Sequence, residues 1–251
     1  MLKVRVIPIL TFNGFGLVKT KRFSNPRMVG NPVQAARVFN ARGVDELAFV
    51  DIMATRQKRK LNLNLVRDVI KECFMPVSIG GGVETIDDIN NLLRIGADKV
   101  IIKTKALTDP GFIREAVRFF GSQCISIAAD VINGAEGYMI QNELGLSVQA
   151  TEFLREVEGL GAGEVVLTSV DHDGMMEGFD TVLVRTMQAI TNVPVIAVGG
   201  AGKPAHFSQL LAETNVEAVG AASLYHFTQF TPLDVKKELA ANNKPVRLDL
   251  Q

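Results

Sequence analysis

Two textures alternate along this chain. Short, mostly continuous apolar runs fall near 3–10, 46–51, 76–80, 98–103, 123–129, 163–169, 194–198 and 216–221. Helix-like runs near 31–42, 60–72, 85–95, 110–120, 147–160, 180–190, 203–213 and 231–241 separate them. Unbroken apolar runs of this length read as parallel strands buried on both faces. Eight strand–helix units in succession predict an α/β chain folded as one (β/α)8 barrel domain over 1–251. Asn31-Pro32, Asp109-Pro110 and Thr231-Pro232 each place a capping side chain before a proline suited to the first helical position. Thr85 with Asp88 forms a capping-box variant.

The texture repeats. PVSIGGG at 76–82 has its echo in PVIAVGG at 194–200, and the leucine pairs Leu92-Leu93 and Leu210-Leu211 keep the same offset of 118 residues. Gly43 and Gly161, and Glu46 and Glu164, share it, whereas Thr104 and Ser223 match at 119. A spacing held over such a distance is an internal repeat. It favours two equivalent half-barrels closing into a ring over an open doubly wound sheet. Glycine after a strand permits a tight turn and brings bare N–H groups close to an anion. Gly81, Gly82 and Thr104 therefore predict one phosphate site, and Gly199, Gly200, Gly202 and Ser223 a second. At the spacing of 119 that relates Thr104 and Ser223, Asp130 should face residue 11, which is Thr11 rather than an aspartate.

Two stretches interrupt the pattern. Thr11–Gly30 is a long first loop carrying Lys19, Lys21, Arg22 and Arg27, expected to act as a mobile lid. Asn133–Leu146 contains Tyr138-Met139-Ile140 and reads as a hairpin. Arg5, Glu46, Lys99 and Glu164 stand at the starts of the first, second, fourth and sixth strands. They should converge at the bottom of a barrel, where spacing alone reads them as a stabilising ion-pair plug.

Composition narrows the function classes. Lys+Arg and Asp+Glu are both 27, so no overall basic face for nucleic acid is implied. No apolar run approaches ~18 residues, so no membrane span is expected, and the first residues alternate into a strand rather than a signal peptide. Cys73 and Cys124 lie far apart without a CxxC and are expected as buried thiols of a cytoplasmic protein. His206 and His226 lack ligand-spaced partners, so no metal or other cofactor is expected. Met53, Phe74 and Phe227 read as core, and His172 as a rim residue.

The runs ADKV at 97–100, GSQC at 121–124, GLGAGE at 159–164, LTSVDHDG at 167–174 and VGGAG at 198–202 resemble the cyclase subunit of imidazole glycerol phosphate synthase (HisF) over nearly the whole chain. The resemblance implies a glutaminase partner whose ammonia crosses the barrel to a two-phosphate substrate at the C-terminal face. It makes Arg5, Glu46, Lys99 and Glu164 a gate for ammonia, with Asp98 on the partner surface. It makes Asp130, Asp173 and Lys19 candidate catalytic residues.

The same resemblance exposes departures, all on one face. Thr11 stands where the family has an aspartate, and Thr cannot take up a proton as a carboxylate does. Lys103 and Lys105 flank Thr104, directing an ammonium into the mouth. Val198 replaces a serine before the second glycine pair, and Met175 a common threonine. The chain thus resembles divergent paralogues found beside genes for bacterial surface polysaccharides. That resemblance implies ammonia delivery to a sugar amidotransferase making acetamidino sugars. A working cyclase of histidine biosynthesis and a non-catalytic activator of the glutaminase are the alternatives.

Overall fold

A computed structural model describes residues 2–142 and 144–248. In chain order the elements begin β1 (Arg5–Phe12), β2 (Leu17–Lys21), β3 (Ser24–Gly30), α1 (Pro32–Ala41), β4 (Leu47–Asp51), α2 (Leu63–Lys71), β5 (Val77–Gly80) and α3 (Ile86–Arg94). They continue with β6 (Lys99–Ile102), α4 (Thr104–Thr108), α5 (Gly111–Phe120), β7 (Ile125–Gly134), β8 (Gly137–Gln141), β9 (Ser147–Gln149), α6 (Ala150–Gly159) and β10 (Glu164–Ser169). The chain closes with α7 (Thr181–Gln188), β11 (Val195–Val198), α8 (Ala205–Glu213), β12 (Ala218–Ala221), α9 (Ser223–Phe227) and α10 (Pro232–Ala241).

Eight of the strands pair in the order β10-β11-β12-β1-β4-β5-β6-β7, and β7 pairs back to β10. All of these pairings are parallel. The result is the closed (β/α)8 barrel that the sequence pattern predicts. Alternation along each strand sorts its side chains. From β1, Val6, Leu10 and Phe12 join the layer packed against the helices, while Ile7 and Ile9 join a separate cluster. That second cluster adds Ala48, Ile101, Ile196 and Ala218, edged by Val50, Ala128, Val166, Val198 and Ala222. It is the barrel lumen, and it is apolar. The same alternation sends Arg5, Glu46, Lys99 and Glu164 inward below it, and Thr11, Lys103 and Asp130 inward above it.

The repeat is physical. A Cβ on Gly81 would lie 2.2 Å from the Asp51 carbonyl oxygen, and one on Gly199 would lie 2.6 Å from that of Ser169. Asp51 and Ser169 are themselves 118 residues apart. Both glycines have positive φ, +109° and +100°, so each half closes the same turn against the same neighbour.

Capping follows sequence in three of four cases. Asn31 accepts from the Val33 and Gln34 amides, and Thr85/Asp88 and Thr231/Asp234 form full capping boxes. Asp109 does not cap: α5 starts one residue later, at Gly111, and the Asp109 carboxylate instead holds Lys105 at 2.9 Å. The first loop is an antiparallel hairpin, β2 with β3. Its turn residues Arg22 and Phe23 have φ of 49° and 57°. Both central residues of a tight hairpin turn thus adopt left-handed backbone without the usual Asn-Gly, which hid the hairpin from a sequence reading. The expected hairpin after β7 is present as β8, with β9 added beside it. Phe74 and Phe227 are not core: they are 88% and 42% exposed, whereas Met53 is half-buried. Cys73 and Cys124 are free and half-buried. Among the described residues no helix is long and apolar enough to cross a membrane.

Candidate functional site

At the lower end of the lumen the four predicted charges form one closed ring. Arg5 reaches Glu46 at 2.7 Å and Glu164 at 3.0 Å, and Lys99 reaches both carboxylates at 2.9 Å. Ser78 donates to Glu46 at 2.6 Å and Ser126 to Glu164 at 2.8 Å, so each buried carboxylate accepts from three side chains. Burial pushes the Glu164 carboxyl up, but Lys99 and Arg5 outweigh it and hold it below the usual carboxylate range. The carboxylates obey the repeat and the cations do not. Asp98 is exposed on this end, its carboxylate accepting from the Val77 amide at 2.8 Å.

The upper end is built differently. Lys19, on β2, turns back under the hairpin until it is only 4% exposed. Its Nζ donates to the Ile9 carbonyl and to the Thr11 hydroxyl, both at 3.0 Å, and Thr11 donates onward to the Val18 carbonyl. The position that the repeat marks for a carboxylate therefore holds a hydroxyl already engaged by an ammonium. Burial lowers the Lys19 pKa to about 8, partly opposed by the Asp173 charge. Burial likewise raises Asp173, against Lys19 and a 3.0 Å bond from Thr20, while the Asp130 charge adds to the rise.

Asp130 is held at 2.7 Å by Lys103, the residue just past the neighbouring strand β6. Lys103 also lies 5.9 Å from the Phe23 ring centroid at the hairpin tip. Lys105 points elsewhere, to Asp109, so only one of the two lysines enters the mouth. The hairpin lies across the opening: Thr20 reaches Asp173, Arg22 donates to the Asp171 carbonyl at 3.1 Å, and Phe23 meets Lys103. A cleft of about 410 Å³ opens beside it, lined by Lys19, Lys21, Arg27, Met176 and Phe227 among others.

The glycine pairs sit where the sequence places them, with Thr104 opening α4 and Ser223 opening α9. Neither short helix was expected; each is one turn at a strand end. Part of the second site is already engaged. The Gly178 amide donates to the Gly200 carbonyl at 2.8 Å, and the Gly202 amide donates to His206 Nδ1 at 3.1 Å. An anion can take the Gly202 amide only if the His206 ring turns away. His172, half-buried in the loop just past β10, does more than sit at the rim: its Nδ1 lies 2.9 Å from the Gly178 carbonyl, pinning the loop that covers this pair. His206 and His172 are the site residues that sequence reasoning missed, because their roles depend on loop packing rather than spacing. Among the described residues no group of His, Cys, Asp or Glu could hold a metal ion.

Compared with known families, residues 5–231 of the chain match the model described as "Histidine biosynthesis protein".

Proposed function

Since the chain belongs to that histidine biosynthesis protein family, we propose that it is the HisF-like barrel subunit of a glutamine amidotransferase, carrying ammonia rather than closing an imidazole ring. In this reading a glutaminase docks below, around Asp98, and the Arg5–Glu46–Lys99–Glu164 ring gates the entry of ammonia. A neutral molecule then crosses the apolar lumen, which excludes its charged form because ammonium would lose hydration there without gaining a partner. At the mouth it meets an acceptor whose anionic groups sit at the two glycine pairs, with Thr104 and Ser223 as hydroxyl donors. The acceptor is a sugar destined for bacterial surface polysaccharide, and the product an acetamidino group, made with a separate amidotransferase.

One observation carries the reading. Thr11 is engaged by Lys19 and Asp130 by Lys103, so positions 11 and 130 do not present an opposed pair of carboxylates for acid–base work. Such help is worth about 10²–10⁴-fold. A test uses the complex with its glutaminase and nitrogen-labelled glutamine. Blocking the lumen with Ala128→Phe should abolish label transfer to the sugar while glutamine hydrolysis survives. Equal transfer through the blocked barrel would refute the conducting role.

A second reading, a working cyclase, is favoured by Lys19 and Asp173. Burial lowers the Lys19 pKa to about 8 and raises that of Asp173, directions that bring an acid and a base closer together for proton transfer.

A further inference from the structure

The chain is neutral as a whole, with 27 cations and 27 carboxylates, but its first two upper loops are not. Residues 13–30 contain Lys19, Lys21, Arg22 and Arg27 and no carboxylate, and residues 52–60 contain Arg56, Lys58, Arg59 and Lys60 and no carboxylate. The rest of the chain is therefore acidic in balance. The two loops are neighbours: they leave the adjacent strands β1 and β4, and a Cβ on Gly14 would lie 2.9 Å from the Arg59 guanidinium. Arg59 pairs with Asp51, and Lys60 with Glu84 and Asp88. Lys21, Arg22, Arg27, Arg56 and Lys58 have no carboxylate partner among the described residues.

Large apolar side chains stand among these cations. Phe15 is 88% exposed and Met28 is 58% exposed, with Phe23 and Ile52 also in solvent. Phe15 is presented firmly: Asn13 Oδ1 accepts from the Phe15 and Gly16 amides at 3.0 and 3.1 Å. Met28 lies beside the Phe15 turn, since a Cβ on Gly16 would lie 2.5 Å from Met28 Cε, and neighbouring exposed apolar side chains mark an interaction surface. A small soluble anion would account for the cations and leave Phe15 unexplained.

We propose that these two loops dock the upper end of the barrel on an anionic phospholipid bilayer, with Phe15 entering the interface and Arg56, Lys58 and their neighbours facing lipid phosphates. Charge complementarity selects this occupant, since basic clusters gather at anionic leaflets at roughly fivefold in partitioning per cation. A single protruding aromatic flanked by glycines needs no matching pocket in a lipid surface, as it would in a protein. The docking uses the outward faces of the two loops beside the mouth and does not depend on which nitrogen chemistry the mouth performs.

Sedimentation of the full chain with vesicles tests it. The protein should pellet with phosphatidylcholine vesicles containing phosphatidylglycerol and stay in solution with phosphatidylcholine alone, and added salt should release it. Arg56→Gln with Lys58→Gln should weaken binding about tenfold or more, and Phe15→Ser by about tenfold or more. Arg114→Gln with Arg118→Gln, exposed on α5 at the barrel's flank, should leave it unchanged. Each variant alters only solvent-facing side chains, and unchanged thermal melting confirms its fold. Absence of binding to the phosphatidylglycerol vesicles, equal loss in the flank variant, or indifference to Phe15→Ser would each overturn the proposal. Binding of an acidic protein to these loops, with vesicles left untouched, would overturn it as well.

Discussion

Lys103 Nζ lies 2.7 Å from Asp130 Oδ2, so the carboxylate that ends the fifth barrel strand is paired with an ammonium from just past the strand beside it. Opposite, Thr11 takes the Lys19 ammonium. The mouth is thus arranged as two cation-centred pairs rather than as an acid and a base facing across an opening.

Thr11→Asp alone should therefore fail to produce ring closure. The new carboxylate would meet Lys19, raising its pKa, while Asp130 stays with Lys103. Thr11→Asp with Lys103→Asn frees both carboxylates and should give measurable turnover, which steady-state kinetics of the single and double variants would reveal. Equal activity in the two would show that the Lys103–Asp130 pair is irrelevant.

Lys19 predicts a pH dependence of stability. Its pKa is about 8 folded and 10.5 in the reference state, so between those values the unfolded chain binds more protons. Stability should rise with pH across this window, by an amount on the order of 3 kcal/mol. Denaturant titrations from pH 8 to about pH 10.5 should show this slope in the native chain and lose it in Lys19→Met.

The ring below should behave as a unit. Lys99→Met leaves Glu46 and Glu164 sharing Arg5, and breaking a buried pair costs about 3–5 kcal/mol. Lys99 is 18% exposed, so about 2–4 kcal/mol is expected. Because Glu164 is held below its ordinary value, its contribution is present above the unfolded pKa and is lost as pH falls through the folded one. Lys99→Met should shift that acid loss to higher pH, as chemical denaturation below neutrality would record.

The repeat predicts paired effects. Gly81→Ala and Gly199→Ala each force a methyl onto a carbonyl oxygen at positive φ, so each should lower stability by about 1–3 kcal/mol or more. Thermal melting of the two variants should show losses of similar size. A large loss in one and none in the other would mean that the two turns are not equivalent.

Much of this was legible in residue order. The eight strands, their helices, the 118-residue repeat and the charged ring follow from apolar runs and spacing, because a closed parallel barrel buries both faces of every strand. Asp109 misled because a proline after a capping residue does not fix where the first helical turn begins. The first hairpin was hidden because Arg22 and Phe23 adopt left-handed backbone that their side chains do not advertise. Lys103 and Lys105 look alike in sequence, but the helical turn α4, which begins at Thr104, carries Lys105 round to Asp109 while Lys103, just before it, reaches Asp130. Phe74 and Phe227 show that aromatic character alone does not place a residue inside.

The most direct measurement is turnover of the purified chain with an ammonium salt and the cyclase's two-phosphate substrate. The account predicts no ring closure above background, together with nitrogen delivery through the barrel when the glutaminase is present. Ring closure at the rate of a genuine cyclase would contradict it.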